Sequence, residues 1–318
     1  MKPFFSIGIP AFKAKFLREC IESILCQTCS DFELIIVNDA SPENIDDIVN
    51  SFSDDRIRYY KNDKNIGAEH VVDNWNKCLS YATGNYFVLM GDDDRLAHNY
   101  LEEFTKLITK YPALDIYHCR VLIIDENSNP VRLVPSWPEY ESIYENIWHR
   151  MNVFRIQFIS DFVYRTSVLK NNNGFYKIEL AWASDDISSF IAIGDKGIAH
   201  CNIPLLHYRQ SSITISSVGS VELKLRAINK IKEWYDSFME NSHPTKETDI
   251  LLKKNIKENL NNYFRKKVTT TIAYGGLHNK TRLGNYFFAF RMKKKCNLSL
   301  KELFYIFVLY EKRCASKF

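Results

Sequence analysis

The stretch YFVLMGDDD at residues 86–94 joins an apolar and aromatic run to three consecutive aspartates. Such a run, followed by a glycine and acidic residues, is typical of a buried strand that ends at the surface. In an extended chain, the side chains of Asp92 and Asp94 point to one side and that of Asp93 to the other. Adjacent carboxylates repel one another, and a bound Mn²⁺ or Mg²⁺ would relieve that repulsion. The stretch therefore predicts either a cation site at a strand exit or a solvated acidic turn.

Three further apolar runs precede this strand, at residues 4–10, 32–38 and 56–60. Between the runs, apolar residues recur at steps of three and four, as on the buried face of a helix. Alternating strands and helices predict an α/β fold with a mostly parallel central sheet flanked by helices. Ligands of such sheets bind beyond the carboxyl ends of the strands. The first places to search for a site are therefore residues 37–41 and 90–94.

Two more strand exits supply candidate ligand-binding residues. Asp39 follows the second apolar run, and Pro10 and Phe12 follow the first. The Asp39 carboxylate can accept from the imide N–H of a uracil or from ribose hydroxyls, and Phe12 could form a wall against a base. The alternatives are that Asp39 is an ordinary turn residue and that Phe12 belongs to the core.

The first 125 residues carry several motifs in a fixed order, namely IGIPAF (7–12), LRECIESILCQT (17–28), DFELIIVNDAS (31–41), NIG (65–67) and ATGNYFVLM (82–90). By these motifs, residues 5–125 resemble family 2 glycosyltransferases, whose fold is the nucleotide-diphospho-sugar transferase fold called GT-A. The resemblance implies an inverting transferase that uses a nucleotide-diphosphate sugar, with a UDP-sugar favoured. It also implies a glycan or lipid-linked glycan as acceptor, in surface polysaccharide synthesis.

The resemblance also implies roles for individual residues. Asp39 would contact the base and Asp93 the ribose, while Asp92 and Asp94 would hold the Mn²⁺ or Mg²⁺. Members of the family commonly have an aspartate where this chain has Gly91. The metal ligands are therefore expected to depart from the usual pattern here.

A catalytic base is expected further along the chain. The family often shows Glu-Asp at the start of a helix that follows a Gly-aromatic segment, and here Gly174 and Phe175 precede Asp185 and Asp186. The resemblance makes Asp186 the base. A positioned carboxylate can take the proton that an acceptor hydroxyl loses as it attacks. The alternative is that Ser184 and Asp185 cap a helix beginning near residue 187.

His207 and Arg209 follow a predicted strand at residues 203–206. In many relatives a basic residue at this point closes over the diphosphate, and a histidine completes the metal shell. The resemblance therefore implies Arg209 as a donor ligand and His207 as a metal ligand. The alternative for both residues is a structural role.

The charge of the chain is divided unevenly. Residues 221–318 hold 21 Lys and Arg against 9 Asp and Glu, a net of +12, and the rest of the chain has a net of −8. Helical patterns at residues 222–240, 246–271 and 300–313 follow a boundary predicted near 215–220. We expect a GT-A domain at 1–218, with a donor half at 1–125 and an acceptor half at 126–218. A basic, aromatic-rich helical extension at 219–318 would follow.

The extension either docks on an anionic membrane surface or is a packed helical subdomain. Nucleic acid is not an expected partner, because no nucleic-acid-binding motif accompanies the lysines. No apolar stretch approaches the ~18 residues of a membrane span, and the N-terminus lacks the pattern of a signal peptide. A cytoplasmic protein is expected, with peripheral contact at the inner face of the membrane.

Two other functions are compatible with a sheet of this kind. A nucleotidyltransferase would need a glycine-rich phosphate loop after the first strand, and residues 10–15 (PAFKAK) do not form one. A non-catalytic sugar-binding or membrane-docking module would not need the aspartates at 39, 93, 94 and 186. Both alternatives are disfavoured on these grounds.

Overall fold

The computed structural model describes residues 2–210, 219–275 and 282–315. The chain divides into two compact units, Met1–Ser217 and Val218–Phe318. The boundary was predicted near 215–220, and residues 215–218 of that range lie outside the described residues. Each unit is described by itself below.

The first unit begins with four parallel strands in the order β3-β2-β1-β4. Every residue of the second strand is buried, because helices cover both faces of the sheet. The predicted parallel α/β arrangement is confirmed. The elements are β1 (Phe5–Ala11), α1 (Leu17–Leu25), β2 (Phe32–Asn38), α2 (Ile45–Asn50), β3 (Ile57–Lys61), α3 (Val71–Tyr81) and β4 (Tyr86–Leu89).

The rest of the first unit extends this sheet to ten strands. The added elements are β5 (Arg95–Leu96), α4 (Tyr100–Lys110), β6 (Ile116–Ile124), β7 (Pro130–Leu133), β8 (Tyr140–Glu141), α5 (Ile143–Met151), β9 (Phe162–Arg165), α6 (Thr166–Asn171), α7 (Ser184–Ile193) and β10 (Ile198–Arg209). The main path continues β4-β9-β6-β10-β5, with β7 on β6 and β8 on β10. Strand β9 is antiparallel to both of its neighbours, whereas β10 is parallel to β6.

A core on one side of the sheet fixes the position of the strand exits. Ile7 and Ile9 of β1 are completely buried and pack with Ile21 and Ile24 of α1 in one hydrophobic cluster. Because β1 lies between β2 and β4 and is parallel to both, the carboxyl ends of all three strands meet at one edge. The loops that follow these strands therefore converge there.

The second unit is helical. It contains α8 (Val221–Asn241), α9 (Glu247–Gly275), α10 (Arg282–Lys295) and α11 (Leu300–Ala315), and α9 packs against α8 and α11. The side chain of Ser220 caps α8 by accepting from the N–H of Leu223. The sequence predicted α8, α9 and α11 but not α10, whose aromatic residues and lysines show no clear apolar stripe. In the described part of the chain, no helix combines the length and the apolar character needed to cross a membrane.

Candidate active site

The loop after β1 is tied to the loops after β2 and β4. The N–H groups of Phe12 and Lys13 donate to Asp92 Oδ2 at 2.8 and 2.7 Å. On the other side, Ser41 Oγ donates to the carbonyl oxygen of Phe12 at 2.5 Å. The structure thus brings the exits of β1, β2 and β4 together, and with them the predicted donor-binding residues Asp39 and Phe12.

Asp39 is buried at this edge and is already hydrogen-bonded. Its Oδ1 accepts from Asn62 Nδ2 at 2.7 Å and from the N–H of Ile66 at 3.1 Å, and its Oδ2 accepts from Asn65 Nδ2 at 3.2 Å. A carboxylate offers about four lone-pair sites. Asp39 therefore keeps capacity for one more donor at Oδ2, which matches a single N–H or O–H group of a ligand.

The side chain of Phe12 is 40% exposed, so the alternative that Phe12 belongs to the core is wrong. Pro10 is half-buried near the end of β1. An exposed aromatic ring with its backbone fixed by hydrogen bonds offers a flat apolar surface beside the strand exits.

The aspartates at 92–94 are held in three different ways. Asp94 Oδ1 accepts from the N–H of Arg209 at 2.9 Å, and Oδ2 accepts from Ser160 Oγ at 3.3 Å. Asp93 Oδ2 pairs with Lys13 Nζ at 2.7 Å. Burial and the charge of Asp93 raise the pKa of Asp92 to about 6, and the same two causes raise the pKa of Asp94. Three carboxyl groups thus lie close together with one ammonium group, and the raised pKa values show that full ionisation of the cluster is unfavourable.

The chemistry of this donor set fits a divalent cation. Oxygen ligands are those that Mg²⁺ and Mn²⁺ prefer, and the hydrogen bonds that described residues donate to Asp92 use only Oδ2. Backbone and hydroxyl donors orient both carboxylates, as expected of groups behind a metal ligand. Within the described ranges, no three His, Cys, Asp or Glu side chains are already gathered around one metal position. The fit therefore rests on the chemistry of the carboxylates.

The close approach of the Asp94 carboxylate explains why residue 91 is a glycine and not the aspartate that the sequence resemblance leads one to expect. A Cβ atom at this residue would lie 2.9 Å from Asp94 Oδ2. The Gly91 N–H donates at 3.0 Å to Ser160 Oγ, the same hydroxyl that donates to Asp94. Gly91 thus allows the Asp94 carboxylate to turn back against its own loop.

Arg209 is placed differently from its predicted role. Its side chain is buried, with Nε donating to the carbonyl of Asp93 at 2.8 Å and Nη2 to Glu19 Oε2 at 2.6 Å. The guanidinium also lies 4.2 Å from the ring centroid of Phe16. The prediction of a diphosphate contact is therefore corrected, because this buried guanidinium supports the acidic loop from inside the protein.

His207 also lies within β10 and not beyond it. The strand continues past the predicted end at residue 206, because its backbone pairs with β6 as far as Arg209. His207 stands opposite Arg95 of β5, and burial together with Arg95 lowers its pKa. Among the described residues, no group of three His, Cys, Asp or Glu side chains that includes His207 is placed to hold a metal ion. The structure does not bring His207 into the predicted metal shell.

Asp185 and Asp186 lie in the first turn of α7, which begins at Ser184. The alternative that Ser184 and Asp185 cap a helix starting near residue 187 is therefore wrong. Directly before the helix, Leu180 and Ala183 adopt positive φ angles of 60° and 63°. Such conformations are costly for residues other than glycine and persist where the surrounding structure enforces them.

The two aspartates have different surroundings. Arg150 Nη2 contacts both carboxylate oxygens of Asp186, at 2.6 and 2.9 Å, and Gln157 Nε2 donates to Oδ1 at 2.7 Å. Asp185 is half-buried, and burial and the charge of Asp186 raise its pKa. Sequence reasoning missed Arg150 and Gln157, because they lie 36 and 29 residues away from Asp186 and belong to no motif.

A short segment joins the two groups of aspartates. Gln157 donates to Asp186, and Ser160 donates to Asp94. Three residue steps span at most about 11 Å of extended chain. Segment 157–160 therefore contacts Asp186 at one end and the acidic loop at the other.

A model of the family described as "Glycosyl transferase family 2" matches residues 6–171, just over half of the chain. The chain belongs to this family. Membership confirms the resemblance of the N-terminal motifs and decides against a nucleotidyltransferase. The family 2 match covers the acidic loop and ends before Asp185 and Asp186.

Curated relatives of this family 2 chain are also glycosyltransferases. An uncharacterized glycosyltransferase of Rickettsia typhi is 23% identical over 234 residues, which cover 73% of this chain and 69% of the relative. An uncharacterized glycosyltransferase of Methanocaldococcus jannaschii is 34% identical over 134 residues, which cover 40% and 45%. The protein is thus a glycosyl-transfer enzyme by family.

Solved structures show the same fold over nearly the whole chain. Residues 1–349 of S. aureus TarS, in complex with UDP-GlcNAc, match with a TM-score of 0.67 at 15% identity, covering 99% of this chain and 92% of that one. The complex of the same TarS fragment with UDP matches with a TM-score of 0.61 at 14% identity, covering 94% and 93%. The likeness confirms the predicted GT-A fold.

Proposed function

We propose that this family 2 protein is an inverting, metal-dependent glycosyltransferase with a UDP-sugar as its favoured donor. Its acceptor would be a hydroxyl of a glycan or lipid-linked glycan, in surface polysaccharide synthesis. The observation that carries the proposal is the convergence of Asp39, Phe12 and the acidic loop at one sheet edge, with Asp186 linked to that loop through segment 157–160. The UDP and UDP-GlcNAc bound by TarS, a protein of the same fold, support a uridine donor.

The donor's nucleoside would lie between the exits of β1 and β2. Asp39 Oδ2 has one acceptor position left, which suits the imide N–H of uracil. The exposed ring of Phe12, with Pro10 behind it, would pack against the base. Asp93 would accept from the ribose hydroxyls after giving up its ion pair with Lys13.

Mn²⁺ or Mg²⁺ held by Asp92 and Asp94 would neutralise the diphosphate as it departs. The protein's own part is to orient the two carboxylates. The N–H groups of Phe12 and Lys13 hold Asp92, while Ser160 and the N–H of Arg209 hold Asp94. Neither His207 nor the side chain of Arg209 is included in this proposal.

Asp186 would act as the general base. The acceptor hydroxyl gives its proton to the carboxylate, and the freed electron pair on oxygen attacks the anomeric carbon. The bond from that carbon to the diphosphate breaks, and its electron pair leaves with the phosphate. Because one displacement occurs from the face opposite the leaving group, the anomeric configuration is inverted.

We also propose that the second unit docks on an anionic membrane surface, where a lipid-linked acceptor would be found. Phe287 is 75% exposed and Phe304 is 68% exposed, and Lys293–Lys295 follow in the last turn of α10. Exposed aromatic side chains with neighbouring lysines suit the boundary between acyl chains and anionic headgroups. Other aromatic residues of this unit are core, such as Tyr310, whose hydroxyl accepts from Asn285 Nδ2.

Vesicle sedimentation tests the docking proposal. Changing Phe287 and Phe304 to Ser should reduce binding of the full chain to vesicles that contain phosphatidylglycerol. The matched control is Leu251→Ser, because Leu251 is 57% exposed on α9, away from α10 and α11 in sequence. If the Phe287 and Phe304 variant bound vesicles as well as Leu251→Ser does, the proposal that the second unit docks on a membrane would fail.

A panel of UDP- and GDP-sugars tests the transferase proposal itself. Each donor is incubated with the protein and either Mn²⁺ or EDTA, and the released nucleotide is measured. We expect release from at least one UDP-sugar with Mn²⁺ and little with EDTA. If no donor releases nucleotide in a metal-dependent way, with or without added glycan acceptors, the proposal fails.

A further inference from the structure

The carboxylate of Asp186 is held unequally at its two oxygens. Arg150 Nε and Nη2 donate to Oδ1 at 3.0 and 2.6 Å, and Gln157 Nε2 donates to the same oxygen at 2.7 Å. Among the described residues, Oδ2 accepts from Arg150 Nη2 alone, at 2.9 Å. Because each carboxylate oxygen offers about two lone-pair sites, Oδ1 is saturated while Oδ2 keeps acceptor capacity.

Arg150 is itself fixed by its local structure. It lies in the last turn of α5, a helix that begins with a capping box between Ser142 and Glu145. Its Nη1 donates to the carbonyl of Arg155 at 3.0 Å, across a turn in which Val153 has a φ of 61°. The guanidinium is therefore held by backbone on one side and by Asp186 on the other.

Glu141 anchors this turn from the interior. Its side chain has no exposure, and it accepts from Arg155 Nη2 at 2.6 Å and from Asn146 Nδ2 at 3.2 Å. Burial raises the pKa of Glu141, but interactions with His149, His200 and Arg155 together outweigh burial and lower it. The buried carboxylate therefore stays charged, and a buried charge strongly holds the partners that compensate it.

We propose that Arg150 and Gln157 are positioning residues that present Asp186 Oδ2 to the acceptor hydroxyl, with Glu141 fixing Arg150 through Arg155. The inference rests on the proposed role of Asp186 as the base. The acceptor O–H bond breaks, the proton passes to Oδ2, and the oxygen forms the new bond to the anomeric carbon as the diphosphate leaves. Saturation of Oδ1 allows only one orientation of the acceptor.

Steady-state kinetics with the best donor of the panel test this inference. Arg150→Gln should lower kcat about 100-fold, because a small misplacement of a reacting group has an effect of that order. Arg150→Lys keeps the positive charge but loses the paired N–H donors of the guanidinium. Its kcat should therefore lie between those of Arg150→Gln and the wild type. Gln157→Leu, which removes one hydrogen bond, should lower kcat about 5-fold. In all three, the donor KM and the Kd of UDP from calorimetry should stay within about twofold.

The matched control is Arg165→Gln. Arg165 Nε pairs with Asp115 Oδ1 at 2.9 Å with similar exposure, away from the strand exits. Its loss should change the melting temperature but not kcat. If Arg150→Gln and Gln157→Leu leave kcat at the level of this control, or if kcat and UDP binding fall together, the inference is overturned. An inactive wild type that still binds UDP would instead defeat the proposed function.

Discussion

The aspartates that contact the two ends of segment 157–160 differ in how their charge is compensated: Asp92 and Asp94 are buried, whereas Asp186 is half-buried. On the proposed donor side, Asp92 and Asp94 receive backbone N–H and hydroxyl groups, and among the described residues the acidic loop forms one ion pair, between Lys13 and Asp93. On the proposed acceptor side, the Asp186 carboxylate forms an ion pair with the guanidinium of Arg150 and accepts a hydrogen bond from the carboxamide of Gln157.

Because of this difference, the two groups of carboxylates differ in whether they need a cation from outside the chain. Neutral hydrogen-bond donors orient a carboxylate, but they do not cancel its charge, and burial raises the pKa of Asp92 and Asp94. The acceptor side already contains its cation in Arg150. We therefore expect a divalent metal to affect the donor side strongly and the acceptor side little.

The largest expected effect comes from Asp94→Asn. Loss of a metal ligand should lower metal-dependent kcat/KM about 10⁴-fold, since a metal contributes several kcal/mol of transition-state charge stabilisation. Nucleotide release with Mn²⁺ measures the effect. The control Asp115→Asn removes a buried carboxylate paired with Arg165 and Lys196, and it should keep the activity. Normal metal-dependent turnover in Asp94→Asn would show that the metal binds elsewhere.

Asp186→Asn should lower kcat about 10³-fold, within the range for loss of a general base. UDP binding in the presence of Mn²⁺ should be unchanged, in contrast to Asp94→Asn. Asp185→Asn provides the comparison on the same helix turn and should have an effect of about 10-fold or less. If Asp185→Asn lowered kcat more than Asp186→Asn, the base would be Asp185 and not Asp186, the aspartate that Arg150 holds.

The raised pKa values of Asp92 and Asp94 make the stability of the fold depend on pH and on bound metal. Asp92 and Asp94 have folded pKa values above the unfolded value of about 3.9. The folded chain therefore holds more protons, and metal-free stability falls as pH rises from about 4 through the raised pKa values.

At pH 8, Mn²⁺ at 100 times its Kd should raise the free energy of unfolding by about 2.7 kcal/mol. The increase is measured as a rise in melting temperature. The rise should be small at pH 5, absent in Asp94→Asn and retained in Asp186→Asn. A rise that was equal at pH 5 and pH 8 would contradict carboxylate binding of the metal.

Local patterns were sufficient to predict that Asp39 and the acidic loop meet at one edge of the sheet, whereas their role in binding a donor stays a prediction. The apolar runs that became β1, β2 and β4 are continuous, and parallel pairing then places Asp39 and Asp92 at one edge. The predicted end of β10 at residue 206 was wrong, because its backbone pairing with β6 continues to Arg209, after the apolar run has stopped. That error placed His207 and Arg209 in a loop, although both are held within the sheet.

The acceptor side depends on contacts that no local pattern records. Asp186 was predicted as the base from the family resemblance, and that role stays a prediction. Arg150 and Gln157 reach it only after α5 and the following turn have folded against α7. The same holds for Ser160, which lies 66 residues from Asp94. Isolated Arg, Gln and Ser residues carry no spacing signal, so only the tertiary structure identifies them.

The smallest predicted effect concerns Lys13, whose side chain is one-third exposed. An ion pair of this exposure contributes about 0.5–1 kcal/mol, so Lys13→Met should destabilise the metal-free protein by about that amount. The same change removes an ammonium that competes for the acidic loop, so Mn²⁺ should bind a few-fold more tightly.

The control is Lys15→Met, which removes a more exposed pair with Glu126. It should leave Mn²⁺ affinity, measured by calorimetry, unchanged. Weaker Mn²⁺ binding in Lys13→Met would contradict the idea that the donor side is short of positive charge. Tighter binding, with lower metal-free stability, would show that the charge of Lys13 stabilises the empty acidic loop and opposes the metal.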